Sequence, residues 1–62
     1  MTIKEMRKSV GLSQQKFGDK FKIGVVNIGH WEQGVSTPPP YVPFMMETIL
    51  KLEKQLEELR AD

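Results

Sequence analysis

The stretch from Ser13 to Gly34, SQQKFGDKFKIGVVNIGHWEQG, decides the fold of this 62-residue chain. It has the pattern of two short helices joined by a tight turn. Ser13 can cap the first helix, because its hydroxyl can accept a hydrogen bond from a backbone N–H one turn further on. Phe17 and Phe21 lie four residues apart on one face of that helix. Gly18 lies where the two helices would cross most closely, and the missing side chain allows their backbones to approach.

The second helix is predicted from about Val25 to Glu32, with Val25, Ile28 and Trp31 on its apolar side. Gly34 follows at the position where a left-handed C-terminal cap is usual. We expect Trp31 to belong to the core, because its spacing from Ile28 turns it inward. The two helices and their turn make a helix-turn-helix motif.

A shorter helix is predicted before this motif. Thr2 and Glu5 have the spacing of a capping box, in which each side chain satisfies a backbone donor at the helix start. Gly11 is expected to end the helix. Its inward residues are predicted to be Ile3, Met6 and Val10.

The last helix is predicted to start between Pro39 and Val42, after a stiff proline-rich connector. A heptad-like seam runs along it, formed by Met45, Ile49, Leu52, Leu56 and Leu59. Its first half is needed to close a small core, so residues 1–50 form the predicted domain and residues 51–62 extend the helix. We expect Leu52, Leu56 and Leu59 to pack against a second chain, because a monomer would leave them in water. The alternative is a frayed, solvated tail.

Length and composition exclude several classes of protein. A single domain of this size buries only about 60% of its unfolded surface. The chain has no cysteine and one histidine, so we expect no disulfide framework, no metal site and no cofactor. An enzyme is not expected, since no catalytic triad, phosphate loop or paired carboxylates occur. The absence of a long apolar run or an export signal favours a cytoplasmic protein without membrane contact.

The charge is unevenly distributed along the chain. Residues 1–34 hold six basic and three acidic groups, which gives +3, whereas residues 35–62 hold three basic and five acidic groups, which gives −2. The positive end coincides with the helix-turn-helix, as binding to nucleic acid requires. Ordinary solvated helix faces would also account for so small an excess.

A set of residues spread over roughly residues 2–50 matches one family: Met6-Arg7, Gly11-Leu12-Ser13-Gln14, Phe17-Gly18, Phe21, Ile23, Ile28, Trp31-Glu32 and Gly34. The set resembles the Xre family, the phage repressor and Cro type of helix-turn-helix DNA-binding regulators. The resemblance implies an all-α bundle of four or five helices, similar to lambda repressor, with an extended C-terminal helix. It also implies a homodimeric transcriptional regulator, a repressor of its operon or of a phage switch, bound to double-stranded DNA. The alternative is a protein-interaction or antitoxin-like module on the same scaffold.

The resemblance also implies site residues. Gln14 matches a residue that holds a DNA phosphate and supports the recognition helix, and Gln15 and Lys16 lie beside it. The groove-facing positions of the family fall on Val25, Val26, Gly29 and His30, of which only His30 offers hydrogen bonds to a base edge. Lys22, Asn27 and Ser36 complete the predicted DNA-binding set.

Four of these assignments leave alternatives open. Val25 can belong to the core instead. Ser36 can equally be a capping or loop residue that does not contact DNA. Lys22 occupies a turn position where the family usually has glycine, so either it accepts a positive φ or the turn shifts toward Gly24. Arg7 is expected to form a partly buried ion pair with Glu32, as is common in the family, although it could instead reach a phosphate.

Overall fold

A computed structural model describes residues 2–60 of the chain. This part contains four helices and no strand: α1 (Ile3–Ser9), α2 (Gln14–Phe21), α3 (Val25–Gln33) and α4 (Tyr41–Arg60). The predicted all-α bundle is confirmed, with four helices rather than five. No helix in residues 2–60 has both the length and the apolarity that crossing a bilayer requires.

Helix α1 begins as predicted and ends earlier than predicted. The Thr2 hydroxyl accepts from the Glu5 backbone N–H at 3.1 Å, and the Glu5 carboxylate accepts from the Thr2 N–H at 2.8 Å. The prediction that Val10 points into the core is wrong, because the helix ends at Ser9 and Val10 is 41% exposed. Gly11 then takes a positive φ of 68°, which turns the chain toward α2.

The turn between α2 and α3 depends on the left-handed backbone of Lys22 and on a close backbone approach at Gly18. Lys22 accepts the left-handed conformation, with φ 60° and ψ 37°, whereas Gly24 has an ordinary φ of −60°. A Cβ on Gly18 would lie 2.5 Å from the backbone oxygen of Ile23 and 3.5 Å from Ile28. Gly18 therefore lies closest to the Ile23 backbone in the turn. The crossing of α2 with α3, where we expected the closest approach, is the looser of the two contacts.

The core is small and takes residues from all four helices. Ile3, Met6, Phe17, Ile28, Val42 and Met46 are buried, and Leu12, Phe21, Ile23, Trp31, Met45 and Leu50 pack partly buried around them. The Phe17 and Phe21 rings meet edge to face at 5.0 Å between centroids. Trp31 packs against the core, as its spacing predicted.

Helix α4 begins at Tyr41, within the predicted range, and carries Pro43 in its first turn, where proline is tolerated. Its first half packs on the bundle through Val42 and Met46. Every residue from 51 to 60 is exposed, so the second half projects beyond the bundle. This projection contributes to the elongated shape of the molecule, which measures 43 × 21 × 18 Å.

Candidate nucleic-acid interface

Helix α3 has one covered side and one open side. Ile28 is fully buried and Trp31 partly so, which fixes the covered side. Val26, His30 and Gln33 follow at steps of four and three, and all three are exposed, Val26 at 65%. We call Val26, His30 and Gln33 the outer stripe of α3.

Gln33 was absent from the predicted site, because the sequence pattern ended α3 at Glu32. The helix runs one residue further and is closed by Gly34 at φ 78°. The signal was present in the sequence, since Gln33 lies three residues after His30 and seven after Val26. Gln33 adds an amide, which can both donate and accept, to a stripe that otherwise offers only the His30 imidazole.

The remaining predicted residues of α3 occupy the margins of the outer stripe. Val25 and Gly29 are half-buried, and Asn27 is exposed on the other flank. Val25 is therefore shared between the core side and the open side. A Cβ at Gly29 would meet only the side-chain oxygen of Gln14, at 3.8 Å, so packing within the chain does not require glycine there.

A polar network attaches α3 to the rest of the bundle. The Arg7 guanidinium donates to the Glu32 carboxylate through Nε at 2.6 Å and through Nη2 at 3.0 Å. Its Nη1 donates to the Leu12 carbonyl at 3.0 Å, and the Gln14 amide donates to Glu32 Oε1 at 3.2 Å. The network thus joins α1, the loop after it, α2 and α3.

The charges of this network stabilise each other. The side chains of Arg7 and Glu32 are only 16% and 4% exposed. The hydrogen bonds from Arg7 hold the pKa of the Glu32 carboxyl below its usual range, against the opposing effect of burial, and Gln14 lowers it further. The same pairing raises the pKa of Arg7. Bidentate geometry of this kind adds geometric specificity as well as energy, so the pair helps to orient α3 against α1.

The N-terminus of α2 lies next to α3 through Gln14. The Ser13 hydroxyl caps α2 by accepting from the Lys16 backbone N–H at 3.1 Å. Gln14 is half-buried, with its oxygen toward Gly29 and its amide on Glu32, which makes it a support of α3. Gln15 is exposed and donates to Asp19 at 3.0 Å, while the Lys16 side chain is exposed.

Two predicted residues lie at opposite ends of α3. Lys22 is exposed in the turn before α3, and Ser36 is exposed in the loop after it. The Ser36 backbone N–H donates to the His30 carbonyl at 3.5 Å, as part of the chain that closes α3. Cations and hydroxyls at these places are of the types that contact DNA phosphates.

Comparison with protein families gives a match over most of the chain. The Helix-turn-helix family model matches residues 3–42, which contain α1, α2, α3 and the start of α4. Neither the curated proteins nor the solved structures contain a match to the chain. The fold, the open α3 and the extent of the family match lead to one conclusion: the chain belongs to the Xre and Cro type of helix-turn-helix DNA-binding regulators.

Proposed function

We propose that the protein is a sequence-specific transcriptional repressor that inserts α3 into the major groove of DNA. The observation that carries this proposal is the outer stripe of α3, exposed along the helix while Ile28 opposite it is fully buried. An α-helix with one free side fits the major groove, where base edges can be read. The Arg7–Glu32 pair supports the proposal, because it ties α3 to α1 through a short, largely buried contact.

Base reading would rest on a few side chains. His30 and Gln33 are expected to form hydrogen bonds with base edges, and Asn27 can add one from the flank. Val25 and Val26 are suited to contacts with thymine methyl groups. Gly29 would let the helix backbone approach the groove floor closely.

Affinity would come from contacts with the phosphate backbone. Gln14, Gln15 and Lys16 lie together at the N-terminus of α2, where free backbone N–H groups also favour an anion. Lys22 and Ser36 extend the same set to the two ends of α3. Such contacts position the protein without reading sequence.

The proposed active species is a cytoplasmic homodimer joined through α4. Leu52, Leu56 and Leu59 are 58%, 49% and 80% exposed, which is a large apolar surface for so small a chain. Two copies would read two half-sites about 34 Å apart on a roughly palindromic operator. Bound there, the dimer would lower transcription of the adjacent genes.

Selection of bound sequences from a random DNA pool tests the proposal. We expect one enriched, roughly palindromic sequence, and binding to it should weaken steeply as salt rises, because phosphate counterions compete. Lys16→Ala should weaken binding several-fold to every sequence while leaving the fold intact. Lys54→Ala is the matched control, since Lys54 is an exposed lysine on α4, away from α3. A pool without enrichment, or equal effects of the two variants, would contradict the assignment.

A second candidate is a protein-interaction module, antitoxin-like, on the same scaffold. The observation in its favour is the shortage of hydrogen-bond donors on α3, where Val26 is 65% exposed, followed by Val35 at 66%. Association through such apolar surface would change little with salt. The two functions therefore differ in how binding responds to salt. Binding to the selected DNA should weaken steeply as salt rises, whereas binding to a partner chain should change little.

A further inference from the structure

One face of α4 carries uncharged residues along the whole helix, and all but one of them are exposed. In its first half these are Tyr41 at 68% and Phe44 at 74% exposure, the exposed Thr48, and Met45, which is partly buried against the core. In its second half the same face continues through Leu52, Gln55, Leu56 and Leu59. At 100° per residue these eight positions fall within a sector about 120° wide. We call this surface the outer face of α4.

The charged residues of α4 lie outside that face. Glu53, for example, points to the bundle side and accepts from Lys20 at 2.8 Å. A groove beside α4, bounded by Val10 and Leu12, is lined by several charged α4 residues, including Lys54 and Glu57. The outer face is therefore the part of α4 suited to close apolar contact.

The spacing of the outer face is symmetric about position 50. The first-half positions 41, 44, 45 and 48 precede it by 9, 6, 5 and 2 residues. The second-half positions 52, 55, 56 and 59 follow it by 2, 5, 6 and 9 residues. Two copies of the helix placed antiparallel, with their positions 50 opposite each other, would match every outer-face residue with one on the partner.

We propose that two copies of the chain dimerise through antiparallel packing of this outer face. The inference rests on the proposed homodimer and deepens it by naming the interface and the direction of the helices. Each aromatic residue then meets a leucine, Tyr41 opposite Leu59 and Phe44 opposite Leu56. A two-fold interface requires such self-complementarity, because the same patch is used on both subunits.

The antiparallel direction explains more of the exposed surface than a parallel coiled coil does. In a parallel pair the projecting residues 51–60 pack only on each other, over about 15 Å, which is shorter than a stable coiled coil needs. Ile49, which belongs to the heptad-like seam and not to the outer face, is already partly buried in the monomer. In the antiparallel pair each projecting half lies along the anchored first half of its partner. A 30 Å helix face provides an area on the order of 600–800 Å² per chain, close to that of a stable dimer.

Distances between nitroxide labels test the direction. The chain has no cysteine, so Lys51→Cys and Arg60→Cys each accept a single label. In the antiparallel dimer the two labels at position 51 are offset by two residues along the helices, so pulsed electron paramagnetic resonance should give a short distance between them. The two labels at position 60 are offset by 20 residues, so the distance between them should be about 30 Å. A short distance at both positions, or no dipolar coupling at position 51, would overturn the proposal.

A charge-rescue series gives a second measurement that does not depend on labels. Phe44→Glu should produce monomers in sedimentation, because it places a carboxylate opposite Leu56 of the partner subunit. Adding Leu56→Lys should restore the dimer, since each glutamate then meets a lysine. In a parallel pair the double variant would set like charges against each other and remain monomeric, which would contradict the proposal. Lys54→Glu, outside the outer face, is the control and should stay dimeric.

Failure of this inference can be told apart from failure of the proposed function. Each labelled protein is also tested for operator binding, by selection from the random DNA pool and by titration with any sequence that the wild type selects. If operator binding persists while the position 60 labels lie close together, the antiparallel interface is wrong and the DNA-binding function stands. If operator binding is absent while the 30 Å distance is found, the interface is right and the proposed function is wrong.

Discussion

Glu32 is the residue on which α1, α2 and α3 depend together, since it accepts hydrogen bonds from both Arg7 and Gln14. We expect Glu32→Gln to lower the free energy of unfolding by on the order of 1–3 kcal/mol, because the amide cannot accept all three hydrogen bonds. Urea unfolding followed by circular dichroism measures the change. Gln15→Ala removes an exposed amide on α2 and should have little effect. Equal stability of Glu32→Gln and wild type would show that the network adds nothing.

The same carboxyl gives a pH dependence of known sign. The pKa of Glu32 in the folded state lies below the ordinary value near 4.5. The contribution of this carboxyl to the free energy of unfolding is therefore complete above pH 4.5, and it is lost as the pH falls through the folded-state pKa. Arg7 stays charged throughout this range. The thermal midpoint of the wild type should therefore fall more steeply below pH 4.5 than that of Glu32→Gln. Glu5, whose pKa is also lowered by the Thr2 N–H, titrates in the same window, and so Glu5→Gln is used as the background for both.

Lys22 combines a strained backbone with an exposed positive charge. A left-handed φ costs a residue with a side chain about 1 kcal/mol more than it costs glycine, so Lys22→Gly should raise the free energy of unfolding by about that amount. If the lysine contacts a phosphate, the variant should also bind the operator more weakly, with a salt slope reduced by about 1. Lys22→Gln separates the two effects, because it removes the charge and keeps the strain. An unchanged salt slope in both variants would assign Lys22 to the turn alone.

At the scale of the helices, replacing glycine by alanine should have opposite effects on stability at positions 18 and 29. Gly18→Ala would place a Cβ 2.5 Å from the Ile23 carbonyl oxygen and should destabilise the bundle by roughly 1–3 kcal/mol. Gly29→Ala meets only an ordinary contact and should stabilise α3 by about 0.5–1 kcal/mol, because alanine favours a helix interior. Gly29→Ala should nevertheless weaken operator binding if α3 approaches the groove closely. Stronger binding by this variant would remove Gly29 from the DNA surface.

Helix positions were predictable from local signals, and helix ends were less so. The Ser13 cap and the apolar spacing of Ile28 and Trp31 predicted α2 and α3, because caps and periodicity act within one or two turns. The end of α1 depended on how the chain turns at Gly11, which left Val10 exposed. The extra residue at the end of α3 brought Gln33 into the outer stripe.

For the whole molecule, stability and association should be coupled. Residues 2–60 form a small core of six buried side chains, and burial of the projecting leucines in a dimer would add to it. The thermal midpoint should rise with protein concentration, since each tenfold increase favours the dimer by about 1.4 kcal/mol. Leu56→Glu with Leu59→Glu should lower the midpoint and make it independent of concentration. A wild type that sediments as a monomer at every concentration would exclude the dimer.

The sequence by itself determined the helices, their order and the motif, because these follow from side-chain periodicity, caps and glycines that act between near neighbours. It also pointed to Arg7 and Glu32, through the resemblance to a family. Only the tertiary structure decided which side of each helix remains open: it extended α3 to Gln33, left Val10 exposed, and left most of the uncharged face of α4 exposed from Tyr41 onward. The physical reason is that exposure depends on where neighbouring elements end and how they cross, and those contacts join residues that are distant in the chain.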